Sequence, residues 1–91
     1  MRASFEKIDG ATSLTFDVQP AAEPTQASVR AEKLANPGFG RVFTDHMAVV
    51  NYDQAKGWHG ARVASRASFP LDPATAVLHY AQEIFEGLKA Y

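Results

Sequence analysis

Between positions 74 and 88, apolar residues recur with the three-and-four spacing of a helix. Ala74, Val77, Leu78, Ala81, Phe85 and Leu88 make one stripe, with Thr75, His79, Gln82, Glu83 and Glu86 opposite. The spacing predicts an amphipathic helix, and such a stripe has to pack on something. Asp72 is placed to cap the free backbone N–H groups, Pro73 suits the first helical position, and Gly87 suits a helix stop. After Gly87, Leu88-Lys89-Ala90-Tyr91 alternates apolar and polar as the start of a strand does. The chain therefore reads as cut rather than finished.

Upstream the period changes to two. Leu14, Phe16 and Val18 alternate within Ser13–Val18, which predicts a strand with one buried face, whereas Pro20 and Pro24 rule out continuous regular structure in the connector that follows. Asn36-Pro37-Gly38 reads as a turn. Val42–Tyr52, rich in Val, Phe and Tyr, reads as a strand; Lys56–Gly60 is the expected loop of a hairpin, and Ala61–Phe69 its second strand, with poorer alternation. The expected order is strand, hairpin, helix and strand start, an α+β arrangement. A lone hairpin covered by one helix is rarely stable, so more chain or another subunit is needed.

Composition limits what this piece can do. At 91 residues it is one small domain at most, expected to bury about 60 to 65% of its unfolded surface. Nine basic and ten acidic residues leave a net charge of −1, which provides no field to gather nucleic acid or an anionic membrane. No cysteine is present for a disulfide or thiolate site, no run is long enough to span a membrane, and no signal core is visible. A cytoplasmic protein is the default expectation.

Several residues invite a chemical reading. Gly38-Phe39-Gly40-Arg41 lacks the following Gly-Lys-Ser/Thr of a phosphate loop, and a dinucleotide fingerprint would need glycine where Phe43 stands; a turn with unusual backbone angles is expected instead. Within a strand, Asp45 and His46 would point to opposite faces and could not converge on one ligand. His46, His59 and His79 lack metal-ligand spacing, so no metal site is expected. Tyr80 and Phe85 lie about 140° apart on a helix, which suits core packing for Phe85 and an interface edge for Tyr80. Nothing near Lys89 would desolvate it into a Schiff-base lysine, so it reads as facing solvent, and Glu86 as structural. Trp58 between two glycines reads as a loop anchor.

Asn36–Asp53 (NPGFGRVFTDHMAVVNYD), Lys56-Gly57-Trp58 and His79–Tyr91 (HYAQEIFEGLKAY) together resemble the N-terminal part of the branched-chain amino acid aminotransferases. The resemblance covers Leu34–Tyr91. It implies a fold-type IV enzyme dependent on pyridoxal 5'-phosphate, much longer than this chain and usually a homodimer. Residues 34–91 would then be part of its small α/β domain, antiparallel strands with a packed helix, and residues 1–33 an N-terminal extension. It further implies that Phe39, Tyr80 and Phe85 wall the substrate side-chain pocket, while the polar residues of Phe43–Met47 hydrogen-bond within the domain. The cofactor lysine, the phosphate-gripping arginine and the glutamate facing the pyridine nitrogen would all lie beyond Tyr91, which would leave this stretch inactive alone.

The implied reaction is amino transfer between leucine, isoleucine or valine and 2-oxoglutarate, with 2-oxo acids and glutamate as the other partners. Two alternatives stand beside it. A D-amino acid aminotransferase or aminodeoxychorismate lyase would share the Phe85-Glu86-Gly87 region but fits Phe39–Met47 poorly, and a non-enzymatic interaction module would expose the helix stripe as a docking face.

Overall fold

The computed structural model describes residues 2–5, as backbone, and residues 14–91. Its elements are β1 (Arg2–Phe5), β2 (Leu14–Val18), α1 (Ala27–Ala35), β3 (His46–Asp53), β4 (Gly57–Ser65) and α2 (Ala76–Tyr80). The strands form one mixed sheet in the order β1-β2-β4-β3. β1 pairs antiparallel with β2, β3 antiparallel with β4, and β2 runs parallel to β4 with Val18 opposite Val63. The piece is thus a small mixed α/β unit in which a strand from the first 33 residues joins the hairpin sheet.

β2 follows its two-residue period: Leu14, Phe16 and Val18 are half-buried, with Thr15 and Asp17 exposed between them. The predicted Ser13 lies outside the described residues. In β4, Gly60 and Ala61 together face the single residue Val50 of β3, between the pairs Val49–Arg62 and Asn51–His59. Gly60 takes φ +63°, the left-handed conformation of a glycine in such a bulge. That bulge shifts the side-chain period and accounts for the poor alternation of the second hairpin strand.

Several expectations need correction. The hairpin turn is tighter than Lys56–Gly60: Asp53 Oδ1 accepts the Lys56 N–H at 2.7 Å, Gly57 turns with φ +67°, and β4 already begins there. Trp58 is consequently a strand residue paired with Tyr52, their ring centroids 5.0 Å apart, rather than a loop anchor. β3 begins at His46, four residues later than Val42, and β4 ends at Ser65, short of Phe69. A helix, α1, occupies Ala27–Ala35, where irregular chain was expected to continue past the prolines.

The largest correction concerns the C-terminal helix. The long amphipathic helix is realised only as α2, and no regular structure follows it in 81–91. Asp72 and Pro73 do not open the helix: its N-cap is Thr75, with no side-chain cap bond, and Asp72 instead shapes the turn ahead of it, its Oδ1 accepting the Ala74 N–H at 2.8 Å and its carbonyl the Thr75 N–H at 2.9 Å. Ala81, not Gly87, ends the helix, in the left-handed conformation with φ 47° and ψ 48°. Leu88–Tyr91 forms no strand. Helices this short draw their stability from packing, and among the described residues neither helix packs against the sheet or the other helix.

Little is buried as a result. Ala61 is the one buried apolar residue among those described. The accessible surface is 8491 Å² for a 9.9 kDa chain, against about 5200 Å² for a compact monomer of that mass. The expected 60 to 65% burial is not reached, because the helices leave their apolar sides uncovered.

Candidate functional site

The segment Arg41–His46 leads into β3 and is where the polar side chains of this chain are most organised. Asp45 reaches across to the connector before α1: its Oδ2 accepts the Thr25 backbone N–H at 2.9 Å and its Oδ1 the Thr25 hydroxyl at 2.5 Å. The adjoining His46 accepts the Ala21 backbone N–H on Nε2 at 2.9 Å. The Thr25 donors, with lesser help from His46 and Lys33, hold the Asp45 carboxyl below its ordinary range. Both side chains therefore take part in internal hydrogen bonds: the His46 Nε2 lone pair is occupied, and each Asp45 oxygen already accepts one bond.

Around this clasp the chain leaves two adjoining cavities. One, of about 600 Å³, lies between Ala21–Glu23, Lys33 and Arg41–Asp45 and reaches Ser65–Arg66. The other, of about 380 Å³, lies between α1 and Val42–His46. Arg66 closes one side: its guanidinium stands 5.1 Å from the Phe43 ring centre, and its backbone N–H donates to the Asp45 carbonyl at 2.9 Å. The clasp partners Ala21 and Thr25 carry no signal in the sequence, because the bonds join residues 25 and 20 positions apart.

The three rings expected to wall a pocket stand elsewhere. Phe39, Tyr80 and Phe85 are 89%, 85% and 83% exposed, and none lines either cavity. Phe39 sits between Gly38 and Gly40, whose φ values of +67° and +69° are the unusual angles the sequence called for; the pair aims the ring outward on a tight turn. Tyr80 ends α2, and Phe85 lies in the irregular stretch after it. The three rings are thus uncovered and line no common cavity among the described residues.

A pyridoxal phosphate site needs a lysine able to shed its proton, with donors for the phosphate. Lys33, Lys56 and Lys89 are all exposed, and Lys89 Nζ stands 5.1 Å from the Tyr91 ring centre. The described residues do not fit that cofactor on their own. Among them, no three His, Asp or Glu side chains are grouped to hold a metal ion, and no helix is long and apolar enough to cross a membrane.

No protein-family model matches the chain. Individual relatives do. A probable branched-chain-amino-acid aminotransferase of Streptomyces coelicolor is 56% identical over 80 residues, 88% of this chain and 22% of that protein. A branched-chain-amino-acid aminotransferase of Mycobacterium tuberculosis is 51% identical over 79 residues, 87% of this chain and 22% of that protein. Branched-chain-amino-acid transaminase 1 of Bacillus subtilis is 54% identical over 54 residues, 59% of this chain and 15% of that protein. The chain spans about a fifth of the length of the curated relatives that it matches over most of its own, and over that stretch its sequence is similar to that of branched-chain-amino-acid aminotransferases.

Proposed function

We propose that this chain is part of a fold-type IV, pyridoxal phosphate-dependent transaminase that moves the amino group of leucine, isoleucine or valine to 2-oxoglutarate. The observation that carries the reading is the 51% to 56% identity to branched-chain-amino-acid aminotransferases over nearly nine-tenths of the chain. In the intact enzyme, a cytoplasmic homodimer, residues 34–91 are part of the small domain and residues 1–33 an extension whose β2 widens its sheet.

The cofactor supplies the amino-transfer chemistry, and its lysine and phosphate donors come from outside the described residues. What this stretch contributes is selection. Phe39, Tyr80 and Phe85 wall the pocket for the substrate side chain, a role supported by the family resemblance of their motifs and requiring the rest of the enzyme to cover rings that are exposed here. Apolar walls favour branched aliphatic side chains by about 1 to 3 kcal/mol per methylene. The polar ends of the substrates are left to groups elsewhere. Alone, the 91-residue stretch is inactive.

The test is an amino-transfer assay on the full-length protein with L-leucine, L-isoleucine, L-valine and D-alanine as donors to 2-oxoglutarate. Turnover of the three branched L-amino acids, with none of D-alanine, is the expected result. Turnover of D-alanine alone would move the protein to another fold-type IV activity, and no turnover of any donor would overturn the enzyme reading.

A further inference from the structure

The Ala21–His46 bond fixes the state of the imidazole. A backbone N–H can only donate, so Nε2 of His46 must be bare and the one ring proton of the neutral side chain must sit on Nδ1. A second proton would turn Nε2 into a donor facing a donor. We propose that His46 is a pH-operated latch on the connector between β2 and α1: the neutral ring holds the connector to the start of β3, and the imidazolium releases it.

The geometry limits what moves. The connector is tied at one end by the Gln19 N–H on the Val63 carbonyl, at 2.7 Å, and at the other by the two Thr25–Asp45 bonds. Releasing Ala21 therefore frees only the middle of the segment, from Pro20 to Pro24. Ala21, Ala22 and Glu23 form one wall of the larger cavity, so opening the latch moves that wall while the sheet stays paired. The charged groups that share a cavity lining with His46 are Asp45 on its own segment and Arg30 and Lys33 on α1, while Glu23 on the connector and Arg66 beyond the end of β4 line the adjoining cavity.

The inference does not depend on the transaminase reading, and its test leaves the amino-transfer assay untouched. In the full-length protein, hydrogen exchange at the Ala21 amide is measured at about pH 7.5 and about pH 5.5, either side of the usual histidine range, and corrected for the intrinsic rate. Protection of Ala21 is expected to fall at least about tenfold on acidification, with Thr25 unchanged. In His46→Gln the pH dependence should vanish; in His59→Gln it should persist. Equal protection at both pH values, or a pH-dependent loss that survives His46→Gln, overturns the latch. Nitrogen NMR of the unsubstituted, histidine-labelled protein gives an answer that needs no variant. The Nδ1–H form of His46 is expected at the higher pH, and the Nε2–H form contradicts the proposal.

Discussion

Thr25 and Asp45, twenty residues apart, are joined by two hydrogen bonds that use both carboxylate oxygens, one to the Thr25 backbone and one to its hydroxyl. The pair ties the connector ahead of α1 to the entrance of β3. Because both Thr25 groups donate, the bonds favour the charged carboxylate and lower its pKa.

The sign of the pH dependence follows. A carboxyl depressed in the folded state contributes stability that is fully present above its unfolded value, near 4, and is lost as pH falls through the lower folded value. Acid unfolding of the protein should therefore steepen below about pH 4, and Asp45→Asn should flatten that limb while lowering stability at neutral pH. The measurement is the denaturant midpoint as a function of pH. Parallel curves for the two proteins would contradict the assignment.

Gly60 and Gly57 both have positive φ, yet their surroundings differ. A Cβ on Gly60 would meet Asn51 Nδ2 at 3.0 Å, whereas one on Gly57 meets nothing within 4 Å. Gly57→Ala is expected to cost about 1 to 2 kcal/mol from the left-handed backbone alone. Gly60→Ala should cost more, since Asn51 must also shift. Urea midpoints of the two variants check the order.

Tyr52 and Trp58 face each other across the hairpin with rings tilted by 58°, and both are more than half exposed. An exposed cross-strand aromatic pair is expected to couple by about 0.5 kcal/mol. A double-mutant cycle with Tyr52→Ala and Trp58→Ala reads that coupling directly. A coupling of zero would show that the pair is a chance approach.

The strands were legible because their period survives in the residues: Leu14, Phe16 and Val18 alternate in the sequence and in burial. The hairpin was legible too, but its turn was placed too late. Gly57 and Gly60 look like loop punctuation, and the chain uses them instead as a turn exit and a bulge inside a strand. α1 was hidden by Pro20 and Pro24. The signal that could have found it is the glycine- and proline-free run Ala27–Ala35, rich in Ala, Arg, Glu, Lys and Leu. The helix after Asp72 was read too long because an amphipathic pattern states which face seeks a partner, not whether the partner is there. The hydrogen-bonding role of Asp45 and His46 was legible, but their partners were not, since nothing local points from residue 45 to Thr25 or from residue 46 to Ala21.

That last helix gives a further expectation. If Ala81–Leu88 lacks only a surface to pack on, its amides should exchange freely in the 91-residue chain and become protected in the full-length protein. Hydrogen exchange on the two polypeptides decides it. Protection in the short chain would mean that the helix needs no partner.

The central claim is that this stretch supplies the apolar walls of a branched-chain substrate pocket. The most direct measurement is kcat/KM for L-leucine in the full-length enzyme, unsubstituted and as Phe39→Ala, Tyr80→Ala and Phe85→Ala, with L-glutamate as the comparison donor. Removing any of the three rings is expected to lower the leucine value at least about tenfold and the glutamate value much less. Leucine values unchanged in all three variants, or leucine and glutamate falling together, would contradict the account.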